Sequence, residues 1–196
     1  MTYSIIGSGN VGTALARQFA RNGIPVGIAN TRGSESLAAL AAELGGHVTA
    51  MALQDALQAD TILLAIPFLA HTAIGATAPD WTGKTIVDAM NTYGVPPEAL
   101  AGKASSDVVA AAFPGANVVK TLNQLPAKLL AMDPSENGGR RAMFVAGNDE
   151  SASAAIVQLV GSLGFAPILL GKVTEVGALL ERGGPLVLQN LVKLNP

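Results

Sequence analysis

The chain contains no cysteine, which excludes a disulfide framework and any thiol chemistry. Charge is scarce as well: 13% of its 196 residues are Asp, Glu, Lys or Arg, against about 25% in an ordinary soluble domain. The formal net charge is −2 and no basic cluster occurs, so nothing marks a nucleic-acid partner. Histidine occurs twice, at His47 and His71, and two distant histidines without cysteine do not make a metal site. Long apolar runs are also missing. The longest, Ile62 to Ala70, is broken by Pro67 and falls far short of the roughly 20 residues of a membrane span. The residues before Gly7 read as a core strand rather than a secretory signal. A soluble, cytoplasmic protein with no membrane or nucleic-acid partner is the expectation. Its 49% apolar content leaves much surface to hide, and burial between the subunits of a homodimer is one way to hide it.

Glycine is plentiful, and three of these residues carry the main signal. Gly7-Ser-Gly9-Asn-Val-Gly12 directly follows the strand-like Tyr3, Ile5 and Ile6, while Val11, Ala14, Leu15 and Phe19 recur behind it at helical spacing. Glycines so spaced let the backbone turn sharply, approach a pyrophosphate and pack a helix on a strand. The amides at that helix's start then face the phosphates, as its dipole favours. The plainer alternative is an ordinary glycine-rich turn between strand and helix.

The second strand, Val26–Ala29, runs into Asn30-Thr31-Arg32-Gly33-Ser34. An NAD site usually carries Asp or Glu here, to hold the ribose hydroxyl. No acid stands at this strand end, and Arg32 presents a planar set of donors suited to phosphate. NADP is therefore the expected cofactor, with Asn30, Thr31, Arg32 and Ser34 around its 2′-phosphate. Ser34 also reads as a helix N-cap and Arg32 as a solvated loop charge.

Strands and helices alternate along the rest of the chain. Strands are expected at 3–7, 25–29, near Val48, and at 61–66, 85–88, 117–121, 142–146 and 165–169. Helices are expected over 10–21, 34–44, 52–58, 68–76, 106–113 and 150–163. A last helix is read from Thr174 to about Leu194, interrupted near Gly183-Gly184-Pro185. Continuous apolar strands between helices imply a parallel sheet covered on both faces. The fold class is α/β, a Rossmann-like doubly wound, mostly parallel sheet with a small C-terminal helical extension. Residues 1–170 form the nucleotide domain and residues 171–196 the extension.

Ligands of such sheets bind beyond the carboxyl ends of the strands. That nominates Ala65, Ile66 and Pro67 beneath the nicotinamide ribose, with Asn91 and Asn123 able to hydrogen-bond a carboxamide or an acceptor, and Gln124, Leu125 and Pro126 beside them. His71 lies a helical turn past a strand end, where it can cap, face solvent or act as an acid or base. Asp88 and Lys120 stand at or near strand ends with no assigned role. No nucleophile–base pair is evident and no catalytic residue is designated. Hydride transfer between two cofactors needs proximity and orientation more than a side-chain acid.

The chain resembles the coenzyme F420-dependent NADP oxidoreductases. The resemblance is carried by Ile6–Gly12, Ala29–Arg32, Leu64–Pro67, Val87–Asn91, Val119–Pro126 and Phe144–Gly147, with Gly164–Pro167, Leu170-Gly171 and Leu180-Glu181 in the closing region. It implies NADP as cofactor and F420 or a flavin-like acceptor, with hydride passing between the nicotinamide C4 and the deazaflavin C5. Carried onto this chain it places Gly7, Ser8, Gly9, Asn10, Val11 and Gly12 at the pyrophosphate and Asn123, Gln124, Leu125 and Pro126 near the acceptor. It also implies that the C-terminal portion completes the acceptor pocket and a dimer contact. The chain departs from the family in its brief ending after Glu181, which leaves a small acceptor pocket. Two rival readings are a non-catalytic NADP-binding redox sensor or partner-binding module, and a relative of β-hydroxyacid dehydrogenases or imine reductases. The latter usually need a large helical second domain, for which this chain has no length.

Overall fold

Strands β1 (Tyr3–Ile6), β2 (Val26–Ala29), β3 (Val48–Ala50), β4 (Thr61–Leu64), β5 (Thr85–Asp88) and β6 (Asn117–Lys120) lie side by side in the order β3-β2-β1-β4-β5-β6, all parallel. This computed structural model describes residues 1–194, so the last two positions of the expected closing segment lie outside the described residues. The strand order reverses between β1 and β4, which opens a crevice at their carboxyl ends.

Each central strand is apolar on both sides because both sides are covered. Ile5, Leu63, Val87 and Val119 face one core, with Leu15 and Phe19 of helix α1 (Asn10–Arg21). Ile6, Leu64, Ile86 and Val118 face the other, and the strand's period of two makes that division. Short helices close the second face: α3 (Leu53–Ala56), α4 (His71–Gly75) and α5 (Ser105–Ala112). Helix α2 (Ala38–Leu44) flanks β3, and α6 (Ala127–Leu130) packs on α1. Gln18 of α1 is wholly buried and donates to the carbonyls of Leu130 and Met132, at 2.6 and 2.5 Å, which locks α1 to α6.

The C-terminal part extends the sheet in a different way. A short β7 (Ser135–Glu136) precedes β8 (Gly139–Gly147), which runs antiparallel to β6 through Val119–Gly147 and Lys120–Ala146 pairs. Helix α7 (Glu150–Ser162), capped by the Asp149 carboxylate accepting from the Ala152 amide, leads to β9 (Ala166–Gly171), parallel to β8. The closing segment corrects the sequence expectation. Instead of a helix from Thr174 to about Leu194, there is α8 (Val173–Val176), a 3₁₀ turn over Gly177–Leu180, an irregular stretch, and β10 (Val192–Leu194) against the start of β8. Gly177, Gly183, Gly184 and Pro185 interrupt the helical pattern, and added Cβ atoms at Gly184 would come within 2.4 Å of the Ala178 carbonyl. Three further helices are shorter than expected: 34–44 is a 3₁₀ turn over Ser34–Leu37 followed by α2, 68–76 is a 3₁₀ turn over Phe68–Ala70 followed by α4, and 52–58 is helical only over Leu53–Ala56.

Candidate functional site

The glycine loop sits where β1 ends, and each of its glycines answers a different constraint. Gly7 has φ +112°, and a Cβ there would lie 2.2 Å from the Ala65 carbonyl oxygen. A Cβ at Gly12 would lie 1.9 Å from the Gly7 carbonyl oxygen, because α1 starts directly against the loop. At Gly9 a Cβ would meet nothing within 4 Å. Gly9 is also the N-cap of α1 and supplies no capping side chain, and no acid occupies the first turn. The first-turn amides that a helix cannot satisfy internally are therefore left for a ligand.

A cavity of about 710 Å³ opens over this helix start. It is lined by Gly7 to Val11, by Asn30, Thr31 and Arg32, by Ala65, Ile66 and Pro67, and by Asn91. Twelve of the residues nominated from sequence thus meet in one place. Arg32 is the only charged side chain in the lining, which contains no carboxylate. Ile6, Leu53, Phe68, Ala70, Ala73, Ile74, Ala89, Met90 and Tyr93 complete the wall; of these Phe68, Ala89 and Met90 stand just past strand ends, where the sequence reading looks for ligand contacts.

At the β2 end, Asn30 organises the polar side chains. Its Oδ1 accepts from the Arg32 amide at 2.8 Å, and its Nδ2 donates to Ser8 Oγ at 2.9 Å and to Ser36 Oγ at 3.0 Å. The Ser36 hydroxyl in turn donates to the Gly33 carbonyl at 2.7 Å. Arg32 Nη2 stands 3.5 Å from Ser8 Oγ, its side chain exposed and in no ion pair among the described residues. Ser34 heads the 3₁₀ turn over Ser34–Leu37 and makes no side-chain capping bond; Gly33 is the N-cap. It does not line the cavity. Ser36 was missed, although a hydroxyl six residues after a strand-end Asn is the signal that finds it.

At the β5 end, Asn91 is held from behind. Its Nδ2 donates to the Asn123 carbonyl at 2.7 Å and its Oδ1 accepts from Asn123 Nδ2 at 3.0 Å. Asn123 Nδ2 also donates to the Leu180 carbonyl at 2.7 Å, while Asn123 Oδ1 is buried with no partner. Asn123, Gln124, Leu125 and Pro126 are not brought into the cavity lining. Gln124 is wholly buried and joins the turn after β6 to β8, donating to the Ala142 carbonyl and accepting from the Phe144 amide. Leu125 packs in the core and Pro126 caps α6.

Beneath Asn91 lies a buried ion pair. Asp88 and Lys120 are register partners on β5 and β6, so their side chains share a face. Lys120 Nζ is 2.9 Å from Asp88 Oδ2 and donates to the Met90 carbonyl at 3.1 Å; Asp88 Oδ1 accepts from the Met90 amide at 3.0 Å. Both side chains are essentially inaccessible, at 1% and 0% exposure. His71 is buried, with Nδ1 against the Phe68 carbonyl and its ring tilted on that of Phe68, and it does not line the cavity. Carboxylates held below their ordinary pKa lie elsewhere: Asp60 through the Thr2 amide, Asp80 through the Thr82 hydroxyl and Asp133 through the Ser135 amide. Among the described residues no group of His and carboxylates could hold a metal ion, and no helix is long and apolar enough to cross a membrane.

Comparison with known proteins adds to this geometry. The family model for coenzyme F420-dependent NADP oxidoreductases matches residues 2–92. A hypothetical protein from Sinorhizobium meliloti is 43% identical and superposes with a TM-score of 0.94, the alignment covering 98% of this chain and 96% of that one. A candidate F420-dependent NADP reductase from Arthrobacter is 28% identical with a TM-score of 0.74, covering 98% and 100%. A reductive aminase from Aspergillus terreus, solved with NADPH and ethyl-5-oxohexanoate, shares the fold at 20% identity and a TM-score of 0.64. This chain spans only 55% of that aminase. No curated protein matches the chain.

Proposed function

We propose that the chain is a coenzyme F420-dependent NADP oxidoreductase, as the family match over residues 2–92 and the likeness to the Arthrobacter protein support, and that its cavity binds NADP and presents the nicotinamide to a deazaflavin or flavin-like acceptor. The observation that carries this is a carboxylate-free cavity running from an uncapped helix start, with Arg32 as its one charge. Such a cavity suits a phosphate-rich ligand, since a ribose-binding acid at the end of β2 would repel a 2′-phosphate. The open space at Gly9 fits the group too, because that is where a pyrophosphate needs the backbone bare.

In this reading the amides of Asn10, Val11 and Gly12 receive the pyrophosphate, with Ser8 beside them. Arg32 takes the 2′-phosphate with Thr31, while Ser34, which heads the 3₁₀ turn outside the cavity lining, is left off it. Asn30 fixes the Arg32 backbone and the Ser8 hydroxyl, so the anion meets donors already in position. Ala65, Ile66, Pro67 and Asn91 border the nicotinamide. When bound, NADPH supplies a hydride, two electrons with one proton, to an acceptor that takes any second proton from solvent. The residues around it orient and exclude water; Arg32 and Tyr93 are the only titratable side chains in the lining, so acid–base help is not what the protein contributes. Residues 1–170 hold the nucleotide, and 171–196 complete the acceptor side or a subunit contact. Exposed Leu169, Leu188, Leu191 and Leu194 favour a homodimer through that region; sedimentation as a monomer at micromolar concentration refutes it.

The test is direct binding of NADPH and NADH followed by turnover with F420, FMN, FAD and a ferric chelate. Tighter NADPH binding and oxidation with F420 or a flavin is the expected result. Tight NADPH binding with no oxidation across the panel selects the redox-sensor reading instead.

A further inference from the structure

The family match ends at Thr92, one residue before a tyrosine that closes the cavity's far wall. We propose that Tyr93, backed by Arg182, is the acceptor platform, and that it selects a planar heteroaromatic ring. The inference rests on the nucleotide reading above, which puts the nicotinamide beside Asn91 and leaves the space next to Tyr93 for whatever receives the hydride.

Tyr93 stands out among the chain's few aromatics. The residue is 55% exposed, while Tyr3 packs on Phe19 at 5.6 Å and Trp81 on Phe113 at 5.0 Å. An exposed ring would ordinarily sweep through rotamers. This one is held, because the Arg182 guanidinium sits 5.1 Å from its centroid, a cation–π distance. Tyr93 lines the cavity and Arg182 does not, so the cation can hold the ring without occupying the cavity. The turn that carries Arg182 is itself tied down. Arg182 Nη1 reaches the Thr92 carbonyl at 3.4 Å, the neighbouring Glu181 carboxylate accepts from the Ser105 amide, and the Leu180 carbonyl accepts from Asn123. A fixed aromatic face on an otherwise apolar wall favours a flat π-system, which stacks with little loss of entropy. A bent aliphatic acceptor gains nothing comparable. Tyr93 is thus the contact residue and Arg182 a positioning residue that acts through it.

The experiment measures FMN and riboflavin binding to the full chain by fluorescence quenching, with and without NADP⁺, together with NADP⁺ affinity and steady-state FMN reduction. Tyr93→Ala is expected to weaken both flavins about tenfold, with NADP⁺ affinity unchanged. Tyr93→Phe, which keeps the ring, recovers the affinity. Arg182→Ala raises the KM for FMN several-fold with kcat retained, and Arg182→Lys, which keeps a cation over the ring, recovers most of it. Equal flavin affinity in wild type and Tyr93→Ala, or no flavin binding by the wild type in either state, overturns the platform. Failure of the nucleotide reading has a different signature: neither NADPH nor NADP⁺ binds, whatever the flavins do. Tyr93-dependent flavin binding without turnover supports the platform and sinks the reductase.

Discussion

The two ends of the cavity are built by opposite means. At the Arg32 end, the hydrogen bonds among Ser8, Asn30, Arg32 and Ser36 join residues at most 24 positions apart, and those from Asn30 to Arg32 and Ser36 span two and six. At the Tyr93 end the ties that bring in the C-terminal segment and the turn after β6 are long: 32 positions from Asn91 to Asn123, 57 from Asn123 to Leu180, 76 from Ser105 to Glu181 and 90 from Thr92 to Arg182. A short motif can make the first end by itself. The second exists only once the C-terminal segment has folded back onto β5 and β6. The difference makes the first end the product of a local motif and the second the product of the whole fold.

Breaking the long-range end should do the most damage. Lys120→Met leaves the buried Asp88 carboxylate uncompensated and removes the donor to the Met90 carbonyl. The cost is about 3–5 kcal/mol, seen as a Tm lower by roughly 10 °C. Introducing Lys120→Met together with Asp88→Asn should recover most of it, since the amide oxygen still accepts from the Met90 amide. A single Lys120→Met variant with unchanged Tm would mean that this floor is not held by the pair.

The same contrast governs what could be read in the sequence. β1, β4 and β5 announce themselves because residues such as Ile62, Leu63 and Leu64 are apolar on both faces, and the glycines declare their loop because Gly7 and Gly12 have no room for a side chain. The pattern of leucines from Thr174 to Leu194 reads as helical, but only the part up to Leu180 is wound. Leu180 points into the core, Leu188 and Leu191 into solvent, and Val192 pairs with Arg141 of β8. That last partner lies 51 positions away, beyond any local periodicity. Gln124 was nominated for the acceptor by its place past a strand end, yet the backbone of β8 uses both ends of its amide. Tyr93 lies just past the reach of the strand-end reading, whose last nominee after β5 is Asn91.

The glycines allow the nucleotide end to be broken without breaking the fold. Gly9→Val puts a side chain into open cavity space, so the Tm should hold while NADPH and NADH affinity fall by at least about a hundredfold, the equivalent of two lost charge-assisted hydrogen bonds. Gly12→Ala is the counterpart. Its Cβ would meet the Gly7 carbonyl at 1.9 Å, and overpacking of about 1–3 kcal/mol or more should appear in the Tm as well as in binding. Calorimetric binding beside thermal melts separates the two; a Gly9→Val protein that fails to fold would deny that Gly9 is kept bare for a ligand.

Arg32→Ala should act more narrowly. Losing one charge-assisted contact of about 1.5–3 kcal/mol lowers NADPH affinity about tenfold to a hundredfold and leaves NADH nearly untouched. Equal losses for both nucleotides would move the 2′-phosphate away from Arg32. Stability should not change, because the side chain is exposed and in no ion pair among the described residues.

The smallest effect discriminates most finely, because it asks whether the local end is a web of side chains or a helix start. Ser36 Oγ accepts from Asn30 Nδ2 and donates to the Gly33 carbonyl, whereas Ser34 has no side-chain cap to give at its turn. Ser36→Ala should free the Asn30 amide, whose Oδ1 fixes the Arg32 backbone. A neutral hydrogen bond of about 0.5–1.5 kcal/mol translates into NADPH binding weaker by roughly two- to tenfold. The loss should be greater for NADPH than for NADH, because it reaches the ligand through Arg32. Ser34→Ala should cost less than Ser36→Ala in the same titration. The reverse order would put the 2′-phosphate on the start of the 3₁₀ turn, with Asn30 and Ser36 only bracing the loop behind it.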